Sequence, residues 1–327
     1  MKKIISIVII LVILLALFCC QQWTRYNQSH GLVSFTYDEA TETLTFKGNG
    51  DLDKDQFGDD YYFRLWEIEK PTHVVISPGI TSVKEYFFCY QIEGNTGKDR
   101  NHFDKIKTVE LPDTITEIGG SAFSGTGIQE IMIPDHVKTI GDFAFDDCRQ
   151  LKEVVVPEGV TTVGAMAFSE CESLETLQLP STLLTVEESL CRGCKNLTSV
   201  SVAAGVTEIK EDAFAQCVKL KDISLGGGLT KIGDGAFYHC ESLSDLTLPA
   251  SLKTLDAYAM VGCTRLKSVI IPSSVTDIRD KALGYDDHPP EPEDDYTKIE
   301  GFIIKGEKSS AAQAYANDNG FSFEIIG

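Results

Sequence analysis

The chain has 327 residues, with 49 acidic against 29 basic side chains and a net charge of -20. That balance argues against a nucleic-acid partner, because phosphate binding needs clustered lysine and arginine. It equally disfavours direct docking of the folded part on anionic lipid.

The first element in chain order is an export segment, residues 1–30. Lys2 and Lys3 precede the run Ile4–Cys20, in which Ser6 is the one polar residue. Such a run directs export with the lysines held in the cytoplasm. It is longer than the usual apolar core of a signal peptide and has no small-residue cleavage site after it. Cys19 and Cys20 are candidate lipidation sites, although the residue before each, Phe18 or Cys19, is not the usual small one. An uncleaved anchor, a lipid anchor and full release all remain open. Each places the rest of the chain outside the cytoplasm; the expected location is the cell surface, with the membrane touched only through the N-terminus.

The next element is a repeat array. Cys148, Cys171, Cys194, Cys217, Cys240 and Cys263 recur every 23 residues, as do Pro134, Pro157 and Pro180, then Pro249 and Pro272. A fixed period of this length means a solenoid of stacked copies of one unit. The unit reads L-x-x-V-x-V-P-x-x-V-x-x-V-G-x-x-A-F-x-x-C, as in Leu151–Cys171. Its β-branched, alternating start predicts a short strand, which proline ends. A second extended piece stops near Gly141, Gly164 or Gly233. The A-F-x-x-C piece is too short for an independent helix and is expected as a helical turn. About nine coils, in a right-handed stack with one short parallel strand each, cover residues 73–284. The period breaks within Ile92–Asp104 and again over residues 285–298. The second insertion carries six acidic residues and three prolines from Asp286 to Asp295, a composition expected to be solvated and mobile.

Candidate chemistry is sparse. The six repeating cysteines read as buried, reduced thiols. Cys191 and Cys194 have the C-x-x-C spacing of redox pairs, but Cys194 belongs to the repeating column and no βαβ context surrounds them. The histidines are scattered, so no metal and no cofactor is expected. No catalytic set can be assembled. Asn196-Leu197-Thr198 is a formal glycosylation triplet at the start of a strand.

What a solenoid offers instead is a face. Within L-x-x-V-x-V, the residues flanking the first inward valine point outward and line up from coil to coil. The candidate binding strip is Glu130 and Met132, Glu153 and Val155, Thr176 and Gln178, Ser199 and Ser201, Asp222 and Ser224, Asp245 and Thr247. Solenoids bind partners along such strips. Met132 and Val155 are its adjacent apolar members.

L-x-x-L-x-L followed by A-F-x-x-C-x-x-L resembles a leucine-rich repeat, and more narrowly the BspA-type repeats of bacterial and protist surface proteins. The stretch Leu44–Leu52 looks like the hairpin cap that opens such arrays, here residues 31–72. Gly306–Ala316 with Asn319–Phe323 looks like their closing helix and strand, here residues 299–327. The resemblance implies a leucine-rich repeat solenoid with a hairpin N-cap and a small α/β C-cap. It also implies a non-enzymatic, adhesin-like monomer that contacts extracellular proteins or cell-surface glycans. A glycan-binding envelope protein is the alternative, and a thiol redox protein using Cys191 and Cys194 is a distant third.

Overall fold

The computed structural model describes residues 33–57, 71–89, 102–287 and 296–326. The export segment with Cys19 and Cys20 lies outside these residues, as does most of the insertion within Ile92–Asp104.

The 23-residue period is the strand register. Glu153–Val155 pairs in parallel with Thr176–Gln178, with Glu153 opposite Thr176, Val154 opposite Leu177 and Val155 opposite Gln178. Ser199–Ser201 and Asp222–Ser224 continue with the same step. A nine-stranded sheet runs in chain order from the N-terminal hairpin to Asp222–Ser224. We call it the first ladder. Alternation along each strand turns Val154, Leu177 and Val200 inward to the core.

The second extended piece of the coil adds a ladder of its own. Thr162–Val163 pairs in parallel with Thr139–Ile140, and Glu208–Ile209 with Thr185–Val186. This second ladder is divided into two five-stranded sheets between Val163 and Val186. The division falls where the glycine column of Gly141 and Gly164 gives way to Glu187 and Lys210. A Cβ at Gly164 would stand 2.5 Å from the Asp142 backbone nitrogen, so this approach admits only glycine. Glu187 and Lys210 instead form an ion pair of 2.6 Å between successive coils.

The A-F-x-x-C piece is not the helical turn expected from its sequence. The residue before the A-F pair has φ of 52° to 58° in six successive coils: Phe143, Met166, Ser189, Asp212, Gly235 and Tyr258. The residue before the repeating cysteine is left-handed as well, for example Glu170 at 53° and Gln216 at 60°. The cause lies in where the amides bond. Met166, Phe168 and Glu170 donate their N–H groups to the carbonyls of Glu188, Leu190 and Arg192 in the following coil, at 2.9, 3.0 and 2.7 Å. A helix would spend those donors internally. Here they stitch one coil to the next, and the reversed φ values turn alternate amides toward the neighbour.

The core lies between the ladders and this turn. Phe88, Phe123, Phe145 and Phe168 stack in a column with ring centroids 5.3 to 5.6 Å apart. Cys191 takes the next place in that column, and Phe214 and Phe237 resume it. All six repeating cysteines are buried and unpaired by disulfides.

Both ends are closed. Ser34–Asp38 pairs antiparallel with Thr43–Lys47, which joins the first ladder beside His73–Ile76. At the other end Ile303–Gly306 extends Ser268–Ile270, and Ser322–Ile325 follows it. Helix Ala311–Asn319 packs over them, begun by the Ser310 side chain and ended by Gly320 in the left-handed region.

The expectation of a wholly mobile 285–298 insertion fails at its two ends. Tyr285–Asp286 pairs antiparallel with Thr297–Lys298, and Tyr285 is buried. Asp287 accepts a hydrogen bond from the Tyr238 hydroxyl and stands 2.7 Å from His239 Nε2. These ends are fastened to the array because Asp287 reaches back across two coils to Tyr238 and His239 in the turn. Residues 288–295 lie outside the described set.

Candidate binding face

The first ladder sets each outward side chain by the two-residue period of a strand. Val154 is buried between Glu153 and Val155, so those two stand on the opposite face. Parallel pairing then aligns like positions: Glu130 beside Glu153, Glu153 beside Thr176, Thr176 beside Ser199, Ser199 beside Asp222. Eleven of the twelve residues of the strip are exposed, and Thr176 is half-buried.

The strip forms two grooves. Thr176, Gln178, Ser199, Ser201, Asp222, Ser224, Asp245 and Thr247 line one of about 940 Å³. Glu130, Met132, Glu153 and Val155 line another of about 560 Å³. Asp245 and Thr247 contribute although the regular ladder lapses at their coil, where one parallel bridge, Thr247 to Ile270, remains.

The larger groove has walls that the strand pattern alone does not supply. Glu158 and Ser181 enter from the turns after Pro157 and Pro180, and Lys221 and Ser244 from the residue before each outward pair. The signal that finds Glu158 and Ser181 is the position after each repeating proline. The Glu158 carboxylate accepts from the Ser181 backbone N–H at 2.9 Å and its hydroxyl at 2.7 Å. Those bonds hold its carboxyl below the usual carboxylate range. Lys221 lies 3.8 Å from Asp222, an exposed pair of small energetic weight.

None of the residues lining the larger groove is aromatic. Its surface offers hydroxyl, amide and carboxylate groups, chemistry suited to hydrogen-bonding an extended backbone and pairing with cations.

The remaining sequence candidates fall elsewhere. Cys191 and Cys194 are fully buried. Burial pushes the Cys191 thiol well above its ordinary range, the reverse of what an attacking thiolate needs. The Asn196 amide donates to the Glu172 carbonyl at 2.8 Å and its oxygen accepts from Lys219 at 2.6 Å. A glycan on that nitrogen would compete with the inter-coil bond.

A BspA type leucine-rich repeat region, in six copies, matches residues 100–198 and 184–287. Among solved structures the chain is similar to a leucine-rich repeat protein from Eubacterium ventriosum. The two are 18% identical, with 70% of this chain and 92% of that one covered and a TM-score of 0.46. A leucine-rich repeat protein of T. pallidum is 22% identical, with 65% and 88% covered and a TM-score of 0.45. A leucine-rich cell surface protein from Faecalibacterium prausnitzii is 26% identical, with 54% and 59% covered and a TM-score of 0.33. No curated protein matches the sequence. With more than half of its length matched by the repeat model, the chain belongs to the BspA-type leucine-rich repeat family.

Proposed function

We propose that the protein is a non-enzymatic, adhesin-like binding module of the cell surface, which contacts extracellular proteins across the outward face of its first ladder. The observation that carries this reading is the alignment of twelve outward side chains, ten along the first ladder with Asp245 and Thr247 just beyond its end, into two neighbouring grooves. A regular sheet presents such a surface without reorganisation, so little ordering entropy opposes binding. The export run at Ile4–Cys20 supports a surface location, with residues 1–30 as the tether, 31–72 and 299–327 as caps and 73–284 as the binding array.

The test is a titration of the immobilised full chain with extracellular protein fractions, before and after enzymatic deglycosylation. Saturable binding that survives deglycosylation is the expected result. Loss of binding on deglycosylation would assign the face to glycans, and absence of any saturable binding would overturn the reading.

A further inference from the structure

Two rows of side chains run side by side along the first ladder. Glu130 and Glu153 form one row, directly opposite each other on adjacent strands. Met132 and Val155, two residues further along each strand, form the second row on the same face. Met132 is 83% exposed and Val155 46%. Asp135 and Lys152 complete the charged rim of the groove they share, leaving three carboxylates against one amine.

Each row is unfavourable by itself. Like charges directly opposite on neighbouring strands repel. Among the described residues, neither Glu130 nor Glu153 has an ion-pair partner to offset this. A methionine exposed to that degree forgoes its burial energy, and a valine beside it makes the surface continuous. One occupant relieves both costs if it brings apolar surface to the second row and positive charge to the first. An acidic segment would add to the repulsion, and a purely polar one would leave Met132 in water.

We propose that this part of the face docks a cationic amphipathic segment of a partner protein. Its apolar side chains sit on Met132 and Val155, and its lysines or arginines lie beside Glu130 and Glu153. The inference rests on the reading of the strand face as a protein-binding surface and gives that surface the chemistry of its partner.

Three peptides of equal length test it by calorimetric titration of the full chain. One alternates lysine with leucine, one glutamate with leucine, one lysine with serine. The lysine–leucine peptide is expected to bind at least about tenfold more tightly than either other. The double variant Met132→Ser/Val155→Ser and the double variant Glu130→Gln/Glu153→Gln should each weaken it about tenfold. The second should also flatten its salt dependence. Glu300→Gln/Glu307→Gln, outside the groove, should change nothing. Equal binding by the lysine–serine peptide, or indifference to both groove variants, would overturn the inference as mere attraction to an acidic protein. Tight, Met132-dependent binding of the glutamate–leucine peptide would overturn the partner chemistry while leaving the face a binding surface. Absence of binding by all three would also overturn the inference, while the broader reading stands or falls on saturable binding of extracellular proteins.

Discussion

The Sγ of Cys171 donates to the carbonyl oxygen of Phe145, one coil earlier, at 3.2 Å. That oxygen also accepts the Cys148 backbone N–H, so the thiol takes its second lone pair. Cys194, Cys240 and Cys263 repeat the bond to Phe168, Phe214 and Phe237, at 3.1 to 3.2 Å. The column of cysteines is therefore a column of weak donors as well as small apolar groups. Cys171→Ala should cost about 1–2 kcal/mol, from the void left by sulfur and the lost bond. Urea denaturation of the variant measures this, and no change would show that the thiol is passive filler. An alkylating reagent should reach the six thiols only after denaturation.

Burial also gives these thiols a pH signature. Desolvation raises the thiol of Cys148 from an ordinary 9.0 to about 12, and that of Cys263 likewise. An acid whose folded value is raised contributes its full stability below the unfolded value. That contribution is lost as pH climbs from about 9 toward 12, because the unfolded chain releases the proton first. The urea midpoint should fall between pH 9 and 10.5, and less steeply in Cys148→Ala. Identical slopes for parent and variant would contradict the assignment.

Asp146 works in the acid range. Burial raises its carboxyl from 3.8 to about 6, against a lowering hydrogen bond from Ser169. Its ionised form is thus disfavoured in the folded state, and stability from this group is lost as pH rises from about 4 through 6. Asp146→Asn should stabilise the protein at pH 7 by on the order of 1 kcal/mol, allowing for partial solvent screening. The gain should vanish near pH 4. Thermal melts of both proteins at the two pH values decide the matter, and destabilisation at pH 7 would contradict it.

The left-handed turn positions make a further prediction. Gln216 has φ of 60°, whereas Gly193 occupies its place in the preceding coil and Gly262 two coils further on. A non-glycine residue there carries a steric cost of roughly 1–2 kcal/mol. Gln216→Gly should recover up to about 1 kcal/mol, the rest being offset by the greater freedom of glycine in the unfolded chain. A substantial loss on substitution would mean that the Gln216 side chain holds the turn.

The sequence makes the solenoid legible because stacking forces equivalent residues to meet. Leu174 packs where Leu151 and Leu197 pack, so a period in the letters is a register in the sheet. Outward positions such as Ser201 are legible for the same reason, through alternation about Val200. The turn is not, because Phe143, Met166 and Tyr258 are ordinary residues with no preference for a left-handed backbone; inter-coil amide bonds impose it. Glu158 and Ser181 escape a strand-based reading because they rise into the groove from turns. The fastening of Asp287 to Tyr238 and His239 is equally hidden, since it joins residues 49 and 48 apart with no repeating pattern.

The account's central claim is that the outward face of the first ladder is the binding surface. Two single substitutions test it most directly, both measured for affinity toward the same bound extracellular protein and for melting temperature. Ser201→Arg places a long cation in the larger groove, and Thr162→Arg places one on the second ladder, where Thr162 is also exposed. The account predicts that Ser201→Arg lowers affinity by about tenfold or more while Thr162→Arg leaves it unchanged, with both proteins melting as the parent does. Unchanged affinity in Ser201→Arg, or loss confined to Thr162→Arg, would contradict it.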